Sequence, residues 1–219
     1  MKYLLKYEGY MDLFSQMEDI KIQNWIIGKE KMKDRAVMFE NEYFFRMLRE
    51  KFINKQISMW PINNEEIISW LDTMSLIMRI FLKLQEKTQL PNDFTIYSEY
   101  VIPFSNHLRA DYIISFDNYI IVFEFGMFNQ DEKRRGERYS KKAVESITYC
   151  QMLRNIVSKA VNVVNYVMIY LPEYDLSINK EISENISYNE TEIEKVCQFI
   201  LTVLENNKQN KSKFQLEIF

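Results

Sequence analysis

Glycine and proline are scarce in this chain, four of each in 219 residues. So few breakers argue against elaborate loops, Gly-rich phosphate cradles and low-complexity linkers, and for long regular elements. There are two cysteines, Cys150 and Cys197, and one histidine, His107. A disulfide framework and a Cys/His metal cluster are therefore excluded, and both thiols are expected to be buried in helices in a reducing compartment. A basic excess is also missing: 28 Lys and Arg stand against 31 Asp and Glu, for a net charge of −3. Any surface for nucleic acid must be local. The longest uncharged run, Ala160 to Pro172, is shorter than the roughly 20 residues of a membrane span. The N-terminal segment has no signal-peptide core, so a cytoplasmic protein with no membrane partner is expected. No helix-turn-helix or zinc-finger pattern is visible.

What is present is apolar and aromatic: 47% hydrophobic residues and 15% aromatics, enough for a substantial core. The chain suits a helical N-terminal extension over 1–60 and an α/β domain over 61–219. In the extension, Val37, Phe39, Phe44, Phe45, Leu48 and Phe52 recur at helical spacing. Asn63 and Glu66 make a capping-box-like start to a long helix ending near Lys87, with Ile67, Trp70, Leu71, Met74, Ile77, Met78, Phe81 and Leu84 as its core stripe. Strands follow over 94–104, 109–116 and 119–125, then a helix over 136–159, an apolar strand over 161–171 and a helix over 191–205. The order is αβββαβα.

Asp117-Asn118 lies between two β-rich runs and reads as a two-residue hairpin turn. That turn places Asp111 opposite Glu124 and Arg109 opposite Gly126, all four on one face. Opposed carboxylates would lie roughly 5 Å apart and repel unless a cation sits between them. Such a pair with open coordination positions suits Mg²⁺ or Mn²⁺. Taken alone, each carboxylate also has a plain reading, as the partner of a nearby Arg or Lys.

A strand bearing Arg109-Ala110-Asp111, a short turn, and an apolar strand ending in Glu124-Phe125-Gly126 resembles the core of the PD-(D/E)XK nuclease superfamily. The resemblance spans about residues 65–171. It implies a restriction-endonuclease-like αβββαβ core and a Mg²⁺-dependent nuclease hydrolysing DNA phosphodiester bonds, with Asp111 and Glu124 as metal ligands. In that family a lysine two residues after the Glu assists the attacking water. Here that position is Gly126. Two substitutes are open: Arg109, nearest to the gap, or a lysine supplied by the following helix. Gln151 resembles a glutamine that RecB-type members present from that helix. With the helix phased on Gln151, Lys141 is the better substitute and Lys142 falls on the reverse face. Glu99 is a further acidic candidate whose face depends on the turn before Arg109. His107 reads as a turn residue.

Lys133, Arg134, Arg135 and Arg138, with Lys141 and Lys142, form a basic run around the start of the same helix. It suits a phosphate backbone, and equally a solvated surface. DNA is the expected partner, with RNA as the other nucleic acid and room for a homodimer. A nuclease fold that has lost catalysis along with its lysine, and now binds nucleic acid or protein, is the alternative reading.

Overall fold

The computed structural model of the chain describes residues 1–17, 32–127, 132–170, 173–174, 186–187 and 190–216. Helices α1 (Glu8–Met17), α2 (Met32–Phe39), α3 (Tyr43–Asn54) and α4 (Asn64–Lys87) precede strands β1 (Thr95–Val101), β2 (Arg109–Phe116) and β3 (Tyr119–Met127). Then come α5 (Glu132–Ile156), β4 (Asn162–Tyr170), a small ribbon of β5 (Glu173–Tyr174) and β6 (Ile186–Ser187), and α6 (Glu190–Leu216). The main sheet has the order β1-β2-β3-β4. Its first three strands run antiparallel, and β4 lies parallel to β3 after the α5 crossover. The expected α/β order from α4 to α6 is present.

Alternation along the strands builds two layers of core. Tyr112, Ile114, Ile121, Phe123 and Phe125 face α4 and α6, whereas Ile113 and Val122 face Tyr149, Cys150 and Leu153 of α5. Asn63 caps α4 by accepting the Glu66 N–H at 3.1 Å, so that helix starts where its cap does. The β2–β3 turn sits at Asp117-Asn118, with Asp117 at φ 48°. Cys150 and Cys197 are buried free thiols.

The N-terminal residues depart from the helical expectation. Residues 2–7 run along β1, with Leu4 N–H donating to Ser98 O at 2.9 Å, Tyr7 N–H to Ile96 O at 3.0 Å and Ser98 N–H to Leu5 O at 2.9 Å. They cover an edge that would otherwise expose unpaired backbone groups. Residues 32–54 form two helices, separated at residues 40–42. Phe39, Phe44, Phe45, Leu48 and Phe52 are buried as expected, but Val37 is exposed. The buried side chains of α1, α2 and α3 belong to the same continuous apolar cluster as α4 and the sheet. Among the described residues, no helix is long and apolar enough to cross a membrane.

Candidate functional site

Three carboxylates occupy one rung of the sheet. The β1–β2 register sets Glu99 across from Asp111, and the β2–β3 register sets Asp111 across from Glu124. That answers the question of Glu99: it lies in the row. The regular ladder is interrupted here, and side chains take over the pairing. Glu124 Oε1 accepts the Asp111 N–H at 3.0 Å, and Asp111 Oδ2 accepts the Phe125 N–H at 2.8 Å. Asp111 and Glu124 are thus each held by the neighbouring strand's backbone, which fixes their direction. Of the three carboxylates, Glu124 is 1% exposed and Glu99 is 4% exposed.

The cation between Asp111 and Glu124 is Lys142. Its Nζ lies 2.7 Å from Asp111 Oδ2 and 2.7 Å from Glu124 Oε2. This corrects the expectation that Lys142 lies on the reverse face of α5. The buried residues of α5 are Ser146, Tyr149, Cys150 and Leu153. Stepping back four residues from Ser146 reaches Lys142, so the lysine belongs to the sheet-facing stripe. Lys141, expected as the substitute, has a side chain 79% exposed and lies 4.0 Å from Glu145. Gln151, on which the helix was phased, is exposed and outside the cleft lining.

Arg109 is also placed differently. Tyr97 and Ile113 pack on the α5 side, and so do Tyr100, Ile102 and Ala110, so the side-chain alternation inverts at the rung of Glu99 and Asp111. Glu99 has φ 51°, a left-handed conformation that costs energy in a non-glycine residue and accompanies the inversion. Arg109 consequently turns toward α4. It pairs with Glu66, its Nε lies 2.5 Å from Glu99 Oε2, and its guanidinium stands 5.3 Å from the Phe52 ring and 5.8 Å from Trp70. It does not fill the space at Gly126. A Cβ there would meet Ile169 Cδ1 at 2.4 Å and Arg138 Cγ at 3.0 Å.

The charges do not balance. Among the described residues, Glu66, Glu99, Asp111, Glu124 and, at 3.8 Å from Lys142, Glu145 pair with Arg109 and Lys142. Burial, opposed by Arg109 and reinforced by Asp111, pushes the Glu99 carboxyl up to about 8. Burial and the adjacent Asp111 charge likewise raise Glu124 well above the ordinary carboxylate range, against the pull of Lys142. Burial pulls Lys142 down, but its two carboxylates outweigh that and hold the ammonium protonated. Glu99 Oε2, although beside Arg109, has no aligned hydrogen bond.

The cluster opens into a cleft of about 470 Å³ bounded by Glu66, Trp70, Arg109, Asp111, Arg138 and Lys142, among others. Glu66 and Lys142 were the members that sequence reasoning missed. Glu66 read as half of a capping box. Among the basic run, Arg138, Lys141 and Lys142 line this cleft, and Arg135 lines a second pocket. The side chains of Lys133 and Arg134 lie outside the described residues.

No group of three or more His, Cys, Asp and Glu side chains among the described residues is arranged around a common metal position. Asp111 and Glu124 nevertheless fit a hard divalent cation. Mg²⁺ is commonly held by one or two carboxylates, its other positions going to water and phosphate oxygens. The excess of carboxylates over Arg109 and Lys142 fits the same ion. Set against known proteins, the chain matches no family model, no curated protein and no solved structure.

Proposed function

We propose that this chain is a divalent-metal-dependent nuclease of the PD-(D/E)XK type, hydrolysing DNA phosphodiester bonds, with its lysine supplied by α5 instead of β3. The observation that carries this reading is the position of Lys142, bridging Asp111 and Glu124 from a different element. The element order from α4 to β4 supports it as well.

Asp111 and Glu124 would hold Mg²⁺ or Mn²⁺. The chemistry such a cation supplies when bound is charge neutralisation at the phosphoryl group and a lowered pKa for water. Lys142, held protonated, cannot accept a proton from water. It donates hydrogen bonds and stabilises charge gathering on the phosphoryl oxygens. Arg109 orients Glu66 and Glu99 and keeps the acidic row from repelling itself open.

The reading that the fold has lost catalysis draws on the same contact. An ammonium at 2.7 Å from both carboxylates also satisfies them without any metal. Titration with Mn²⁺ and incubation with duplex DNA, single-stranded DNA and RNA separate the two. The nuclease reading expects metal binding and metal-dependent cutting, lost on the order of a hundredfold or more in Asp111→Asn and in Glu124→Gln, with the fold retained. Neither substitution removes the shape of the side chain. A protein that binds no Mn²⁺ and cuts none of the three polymers overturns the nuclease reading.

A further inference from the structure

Gly126 stands where the resembling family carries its lysine, and its backbone does not need a glycine. Its φ lies outside the left-handed region, so a side chain would be tolerated by the backbone itself. What excludes one is packing: a Cβ would come within 3.0 Å of Arg138 Cγ, 3.2 Å of Arg138 Cδ and 2.4 Å of Ile169 Cδ1. The stem of Arg138 therefore lies across bare backbone. This seat adjoins the carboxylate row, because Gly126 is two residues beyond Glu124 on β3.

Arg138 is also placed by its helix. It precedes Lys142 by four residues, one turn of α5, so both cations lie on one face of that helix. Both line the cleft, together with Asp111 and Glu66. The other arginine of the cleft, Arg109, is engaged by Glu66 and Glu99 and flanked by Phe52 and Trp70.

We propose that Arg138, seated on Gly126, is a substrate-contacting residue that clamps the phosphate entering the cleft, one helical turn from Lys142. The glycine and the arginine form a unit: the missing side chain on β3 makes room for a guanidinium brought in from α5. A planar fork suits two oxygens of one phosphate, which an ammonium cannot match bidentately. The ligand class is a phosphodiester, and the inference rests on the nuclease reading above.

The test is a set of variants assayed for metal-dependent cleavage and for salt-dependent binding to duplex DNA. Arg138→Met should lower cleavage about a hundredfold. It should also reduce the log–log salt slope of binding by about 0.9, as expected for one lost phosphate contact. Arg138→Lys should restore the slope but not the rate, since the charge returns without the fork. Gly126→Ala, made in an Ile169→Val background so that the Cδ1 clash is gone, leaves the arginine stem as the close contact that remains. It should slow cleavage, and combining it with Arg138→Met should add nothing further. Arg138 is exposed, so its replacement leaves the fold in place. Cleavage and salt slope unchanged in Arg138→Met would overturn the clamp while leaving the nuclease reading intact. An unaltered protein that neither cuts nor binds nucleic acid overturns both.

Discussion

Helix α4 contributes an acid to each of two buried charge clusters, and they differ in every respect that separates support from chemistry. Asp72 meets Arg35 of α2 in a two-pronged pair, with both contacts at 2.8 Å. Both residues are almost fully buried, at 0% and 2% exposure. The cluster that includes Glu66 crowds five carboxylates, Glu145 among them, around two cations, sits at an interrupted rung and opens into a cleft. A matched pair has no reason to attract a further ion. An acidic excess held rigid by backbone N–H groups does, because only protons or another cation can relieve it.

Removing one partner from the matched pair should have the largest effect on stability. Asp72→Ala leaves the Arg35 guanidinium buried without its carboxylate, which costs about 3–5 kcal/mol. Urea denaturation should show that loss. Replacing both residues, as in Arg35→Met with Asp72→Leu, should recover much of it, since a buried ion pair exchanged for apolar side chains is often close to neutral. Equal stability in the single and double variants would mean that the pair's charges are not what makes the site sensitive.

The open cluster should respond in the opposite sense, in activity more than in stability. Lys142→Met removes the cation between Asp111 and Glu124. We expect loss of metal-dependent cleavage with a stability decrease of about 2 kcal/mol near neutral pH, the scale of lost charge-assisted hydrogen bonds. Lys141→Met, one residue away but facing solvent, should change stability by less than about 0.5 kcal/mol. Cleavage lost in Lys141→Met and retained in Lys142→Met would reverse the assignment of the helix face.

Much of the sheet was legible because its signals are local. Asp117-Asn118 between two β-rich runs sets the register of β2 and β3, and the pairing of Asp111 with Glu124 follows from that register. The phase of α5 was not legible. Its buried stripe begins with a lysine and a serine, Lys142 and Ser146, before reaching Tyr149, Cys150 and Leu153. Apolar periodicity is weak there, so anchoring the helix on exposed Gln151 put Lys142 on the reverse face. Arg109 was misplaced for a different reason. The alternation inverts at Glu99, whose φ of 51° has no sequence signature. The strand-like course of residues 2–7 depends on a distant partner, the free edge of β1.

A pH dependence is also expected, and only the open cluster should show it. Glu99 titrates near 8 in the folded protein, chiefly through burial, against an ordinary value of 4.5. Between those values the folded state binds a proton that the unfolded state has released. Its contribution to stability is therefore fully present below about pH 4.5 and is lost as pH rises toward 8. One such group gives a slope of at most about 1.4 kcal/mol per pH unit. Glu124, raised in the same direction, adds to it. Without added metal, denaturation midpoints should fall from pH 5 to pH 8, and Glu99→Gln should flatten that fall because an amide neither binds nor releases the proton. Glu66→Gln should not remove the slope, since Glu66 is a smaller influence on Glu99 than either burial or Arg109. A fall equally steep in Glu99→Gln would assign the dependence to Glu124 alone and leave Glu99 ionised beside Arg109 throughout.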